Sequence, residues 1–153
     1  MREVEANDLI TSVAGDGIAE FAGDNGLSTN ASLFTPAGVA VDAYGDIFIA
    51  DTHNNRIREA TPNGVISTVA GGGTGDDGGA ATNASLNQPK SVSVDNYGDL
   101  FIADTGNSRV REVVFQGPTL ILKNTGPGNA GSYNVVVTGP TGSVTSSVVS
   151  LAV

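Results

Sequence analysis

The sequence predicts an all-β chain of repeated antiparallel meanders, and three observations carry that prediction. Residues 39–58, VAVDAYGDIFIADTHNNRIR, return almost unchanged fifty-three positions later at residues 92–111 as VSVDNYGDLFIADTGNSRVR. The apolar runs inside each copy are short, β-branched or aromatic, and without helical period. Between them stand Gly, Asn, Asp and Pro, the residues that turn a chain.

Each element follows from those runs. Residues 39–41 form a strand, Tyr44-Gly45-Asp46 turns it, and residues 47–50 run back to Asp51, which makes a hairpin. The tract DTHNN turns the chain into a third strand at residues 56–60, and Pro62-Asn63-Gly64 turns it into a fourth at residues 65–70. Four antiparallel strands in about fifty residues make a meander, the unit of a propeller blade. Two registers define the repeat. Residues 29–59 match residues 82–112 at an offset of 53, whereas LITSVAGDG (residues 9–17) matches VISTVAGGG (residues 65–73) at an offset of 56. The Gly-rich loop between them is therefore three residues shorter in the second copy.

The pattern of Pro36 or Pro89, then GVAVD or SVSVD, GDIFIAD or GDLFIAD, N-x-R-[IV]-R, and VISTVAG with a Gly-rich loop resembles the bacterial form of the NHL repeat. The resemblance covers residues 1–115 and implies β-propeller blades, in rings usually of about six. It also implies a module that in most cases binds protein or nucleic acid, with a minority of related propellers acting as enzymes. The fold class expected is two four-stranded NHL-type blades followed by immunoglobulin-like strands. The second blade runs through REVVF and enters the next segment without a VISTVAG strand of its own.

Residues 116–153 change grammar. Strands are expected near residues 120–123, 132–138 and 143–153, and NAGSY followed by NVVV resembles strands E to G of an immunoglobulin-like domain. That resemblance puts Tyr133 at the tyrosine corner and Val135 where a cysteine often stands. At the other end, REVEANDLITSVAG aligns with REATPNGVISTVAG, so residues 9–14 read as a spare fourth strand.

Composition narrows the function classes. Sixteen acidic against seven basic residues give a net charge of −9, with no basic cluster to neutralise phosphates, so nucleic acid is not the expected partner. The apolar runs are far shorter than the roughly 18 residues of a membrane span, and no membrane insertion is expected. There is no Cys, one His and no Trp, which removes thiolate sites and the usual zinc and iron sets. MREVEANDLI carries neither the basic nor the apolar region of a leader, and by resemblance to repeat modules of surface and secreted proteins the protein is expected outside the cell or at its surface.

Residues that could carry chemistry each have an architectural reading. Asp51 and Asp104 end strands with Arg56 and Arg109 five positions later, and the expectation is a structural turn capped by Asp and braced by Arg. Asp24, Asp76 and Asp77 stand among glycines and are weak calcium candidates, since the D-x-D-x-D-G spacing is missing. His53 has no repeat equivalent, position 106 being Gly, and reads as a turn histidine. No nucleophile elbow, catalytic triad or phosphate loop is recognisable, so no enzyme and no cofactor is expected.

Two readings of function remain. One is an assembly protein in which the strand of Leu9, Ile10 and Val13 pairs with that of Arg109, Val110, Val113 and Phe115 in the next copy, giving a homo-oligomeric ring or filament. The other is part of a larger NHL-propeller that recognises a protein or glycan through its blade loops.

Overall fold

The computed structural model describes residues 2–4, 9–115, 131–133, 136–139, 142–145 and 149–151. The chain divides into two compact units, Met1–Phe115 and Gln116–Val153. All regular structure described is β-strand apart from four single 3-10 turns.

The first unit opens with a hairpin of β1 (Arg2–Val4) and β2 (Ile10–Ser12). A four-stranded meander follows, β3 (Pro36–Val41), β4 (Ile47–Asp51), β5 (Arg56–Ala60) and β6 (Ile66–Gly71), in the order β3-β4-β5-β6. The second meander has three strands, β7 (Pro89–Val94), β8 (Leu100–Asp104) and β9 (Arg109–Val113). Both copies carry the same register shift at the start of the inner strand, between Pro36 and Gly38 and between Pro89 and Ser91. The 3-10 turns Thr52–Asn54 and Thr105–Asn107 fill the DTxN tracts, each followed by a left-handed residue, Asn55 or Ser108.

The strand expected to be spare is not. β2 pairs with β1 in the register Arg2↔Ser12, Glu3↔Thr11, Val4↔Ile10, which reproduces Arg58↔Thr68, Glu59↔Ser67, Ala60↔Ile66 between β5 and β6. The inner edge of β2 is thus occupied, because three residues of the same chain already satisfy its N–H and C=O groups. The residues of β2 themselves are exposed, while Ala14, just beyond it, is buried with Ala31, Leu33 and Ile49.

Alternation along β4 sends Phe48 and Ala50 to one side and Ile47 and Ile49 to the other, and both sides are apolar. Phe48, Ala50, Ile57 and Ala70 of the first sheet form one core with Leu86, Val92, Leu100 and Ile102 of the second. The opposite face of the first sheet, through Ile49, Ala60 and Ile66, packs on Ala14, Ala31 and Leu33. Repeat-equivalent residues therefore differ sharply in burial. Val92 is 4% exposed and Val39 51%; Phe48 is 3% exposed and Phe101 38%; Ile57 is fully buried and Val110 76% exposed. Each buried member gains in proportion to the apolar area its counterpart leaves in water, at most about 1.5–3 kcal/mol.

Hydrogen bonds cross the same interface. The Thr52 hydroxyl donates to the Pro89 carbonyl at 2.8 Å, and Asn55 Oδ1 accepts the Gln88 N–H at 2.8 Å.

The second unit contains two antiparallel pairs. β10 (Gly131–Tyr133) pairs with β13 (Val149–Leu151), and β11 (Val136–Gly139) pairs with β12 (Gly142–Thr145). The single strands expected at residues 132–138 and 143–153 are each described as two short strands with different partners. The strand expected near residues 120–123 and the tyrosine-corner side chain of Tyr133 lie outside what is described.

Where β3 passes β7, Gly38 lies against backbone. A Cβ there would stand 2.7 Å from the Lys90 carbonyl oxygen and 2.8 Å from Ser91 Cα, and neither can swing aside. Gly38→Val should force the blades apart and cost about 1–3 kcal/mol by overpacking, read as a lowered midpoint in urea unfolding followed by circular dichroism.

Candidate functional site

Two ends of the blades carry the residues that composition and motif single out. At the end where β4 meets β5, Asp51 is fully buried and accepts the Phe34 N–H at 2.7 Å and the Asn54 side-chain amide at 2.8 Å. Asp104 repeats this with the Asn87 N–H at 2.7 Å and the Asn107 amide at 2.8 Å. Neither aspartate caps the N–H groups of its own 3-10 turn. Each instead ties the loop entering its blade to the end of the second strand.

The arginine that meets Asp51 is Arg58, not Arg56. Arg58 is fully buried, with Nη2 2.8 Å from Asp24 Oδ1 and Nη1 3.4 Å from Asp51 Oδ2, and Nη2 also donates to the Ala22 carbonyl at 3.1 Å. In the second blade Arg111, not Arg109, reaches Asp104 at 3.6 Å and Asp77 at 2.7 Å. Strand alternation puts both arginines of R-x-R on one face, and the second lies diagonal to the Asp, within reach of a long side chain. The first turns elsewhere: the Arg56 guanidinium lies over the Phe21 ring, 3.7 Å from its centroid, and Arg109 stands 3.7 Å from Asp77.

The acidic loops are thereby explained. Asp24 faces Arg58 and accepts the Thr68 hydroxyl at 2.7 Å, while Asp77 faces Arg111. Asp76 is exposed beside it. Among the described residues no group of three or more His, Asp or Glu is placed to hold a metal ion. His53 contacts the Thr35 hydroxyl through Nδ1, and its ring lies 4.9 Å from that of Phe34. At the equivalent place a side chain on Gly106 would overlap Asn87, so the His/Gly difference follows the Phe/Asn difference across the loop.

The opposite end carries a feature that motif reasoning passed over as a turn. Asp42 Oδ1 accepts the N–H groups of Tyr44 and Asp46, both at 2.9 Å, and Gly45 takes φ +87°, a region an L side chain rarely enters. Asp95 holds Tyr97 at 2.8 Å and Asp99 at 3.0 Å in the same way. The two tyrosines stand at the tips of these turns at equivalent positions and are 85% and 87% exposed. An aromatic residue at a turn tip, repeated at the repeat offset, is the signal that would have found them. Carboxylates gather beneath them. Burial, then Asp46 and Asp42, push the Glu59 carboxyl above its ordinary value, and burial followed by Asp42 does the same to Asp46.

Two outcomes follow. Arg58→Leu takes the cation from the fully buried Asp51 and the partly exposed Asp24 and should cost about 3–5 kcal/mol, against a smaller loss of about 1–3 kcal/mol for Arg111→Leu, which deprives buried Asp104 of one contact but leaves Asp77 mostly solvated; denaturant unfolding of the two variants measures the gap. Because the folded Glu59 binds its proton more tightly than the unfolded chain, its charge weakens the fold progressively as pH rises from the ordinary value of 4.5 through the raised one. Glu59→Gln should therefore raise the melting temperature at neutral pH, and the gain should vanish below about pH 4.

Sequence and structure comparisons agree with this architecture. The profile of the teneurin NHL domain matches residues 14–74, and that of the NHL repeat matches residues 86–112. Human teneurin-4 is 35% identical over 114 residues, and NHL repeat-containing protein 2 of Gallus gallus is 34% identical over 83. The matches cover 64% and 53% of this chain but only 4% and 11% of those proteins. Among solved structures, a protein of unknown function from Bacteroides thetaiotaomicron superposes with a TM-score of 0.61 at 23% identity, covering 72% of this chain and 28% of that one. An auxiliary nutrient binding protein from the same organism superposes with a TM-score of 0.55 at 24% identity, covering 72% and 31%. Residues 14–74 and 86–112 thus match NHL-repeat profiles, and the two sheets they build are β-propeller blades of that type.

Proposed function

We propose that these blades serve as a non-enzymatic binding module, acting at the cell surface or outside the cell, that takes a protein or glycan through the hairpin end of the blades. The observation that carries the reading is the pair of exposed tyrosines, Tyr44 and Tyr97, each on a turn pinned by an aspartate. A tyrosine on a turn whose backbone is held in place offers a flat apolar face and a hydroxyl at small entropic cost, which suits stacking on a sugar ring or a peptide. The buried Arg58 end has the opposite character, since its charges are consumed by one another.

One structural neighbour is an auxiliary nutrient binding protein, which is in keeping with a binding role. Assembly by donation of a free strand fits less well, because β1 already occupies the edge of β2 that donation would use.

The test is the Tyr44→Ala/Tyr97→Ala double variant on glycan arrays and in protein capture. Ligands retained by the parent chain should be lost, with the melting temperature unchanged because neither ring is packed. Full retention of every ligand by the variant refutes this surface.

A further inference from the structure

The charges of the blades are sorted between their two ends. Each hairpin turn, Asp42-Ala43-Tyr44-Gly45-Asp46 and Asp95-Asn96-Tyr97-Gly98-Asp99, sets an exposed tyrosine between two aspartates. Strand register brings Glu59 and Glu112 to the same end, one step from the last pairs, Ile47↔Ala60 and Leu100↔Val113. The basic residues of the stretch 9–115 lie elsewhere. Arg56, Arg58, Arg109 and Arg111 gather at the DTxN turns, and Lys90 follows Pro89, the partner of Asp104. Among the described residues no arginine or lysine pairs with a carboxylate of the hairpin end, whereas Asp24, Asp51, Asp77 and Asp104 at the other end each meet an arginine.

The first blade leaves its carboxylates the less satisfied. Asp99 Oδ1 accepts the Phe115 N–H at 3.0 Å, but the residue equivalent to Phe115 is Pro62, which has no N–H to offer Asp46. Burial, then the charges of Asp46 and Asp42, hold the Glu59 carboxyl above its ordinary value. A cation arriving there relieves a repulsion that no group of the fold answers.

We propose, resting on the reading of this end as the binding surface, that its ligand is a basic peptide segment whose guanidinium or ammonium groups lie on the rings of Tyr44 and Tyr97 and pair with the carboxylates around them. A tyrosine face attracts a cation through its quadrupole. A carboxylate within reach adds a charge-assisted hydrogen bond. Neutral sugars also stack on tyrosine, yet they bring no charge to an end that holds only negative ones. Arginine answers both features, because its planar guanidinium stacks on an aromatic ring and presents a fork of donors to carboxylate oxygens. The net charge of −9 draws such a segment in before contact is made.

Fluorescence anisotropy on the whole chain tests it, with labelled oligo-arginine and a Gly-Ser peptide of equal length, beside calorimetry with a neutral oligosaccharide. Oligo-arginine should bind about tenfold or more tighter than the Gly-Ser peptide, and the affinity should fall as salt rises. Tyr44→Ala/Tyr97→Ala should weaken oligo-arginine binding by about fivefold or more. Glu59→Gln/Glu112→Gln should weaken it by about threefold or more. Glu20→Gln/Asp76→Asn makes the same change of charge at the other end and should leave it nearly unaltered, which separates this surface from the overall charge of the chain. Oligo-arginine binding that the control pair weakens as much as the hairpin pair, or that survives the replacements at the hairpin end, overturns the proposal. So does tyrosine-dependent binding of the oligosaccharide or the Gly-Ser peptide with no preference for oligo-arginine, a result that keeps the tyrosine surface and changes its ligand. If binding of none of the probes depends on Tyr44 and Tyr97, the surface and its ligand fall together.

Discussion

Ile57 and Val110 hold the same place on the third strand of their blades, yet one is fully buried and the other stands largely in water. The difference lies entirely in what covers them. A blade of this type is a twisted meander with apolar residues on both faces, and no sheet can cover its own faces. Stacking is therefore the constraint on which the rest depends. It decides why β4 is buried along most of its length, why Gly38 can carry no side chain beside Ser91, and why the equivalents of core residues lie exposed at the two free faces.

Within each blade, order is imposed by charge. Arg58 joins three separated stretches, the Gly-rich loop through Asp24 and the Ala22 carbonyl, the end of β4 through Asp51, and its own strand. A guanidinium withdrawn from water gains little net stability from its pairs, because desolvation offsets most of the attraction. What it does supply is geometry, since a planar fork of donors accepts only one arrangement of the surrounding oxygens. The second blade runs the same triad with Asp77 solvated, so the arrangement is present there with less enclosure.

The two ends of the blades consequently differ in availability. Around the DTxN turns almost every polar group already has a partner in the chain or across the blade interface. At the hairpin tips the aspartates bond backward to the turn and leave the tyrosine rings outward. The hairpin end therefore leaves an aromatic surface unused, where the DTxN end consumes its polar groups within the fold.

The sequence by itself determined the all-β class, the repeat, the order of the blade strands and the places of their turns, because strand alternation and turn chemistry are local and were written twice; it did not mark the start of β3 at Pro36 or the division of residues 132–153 into shorter strands. It also singled out Asp51 and Asp104 as turn residues retained in both copies beside a variable His53 and Gly106, although their carboxylates accept the Phe34 and Asn87 N–H groups and not those of the turn. What it could not settle was which arginine each aspartate meets. Arg56 and Arg58 share a face, and the choice between them rests on Phe21 and Asp24, more than thirty residues away in the chain. The pairing of β1 with β2 likewise rests on a hairpin that the offset implied but only the register displays. The repeat and the turn chemistry place Tyr44 and Tyr97 at hairpin tips, but how far their rings stand out of the fold is decided by tertiary structure, because it depends on which surfaces packing leaves uncovered.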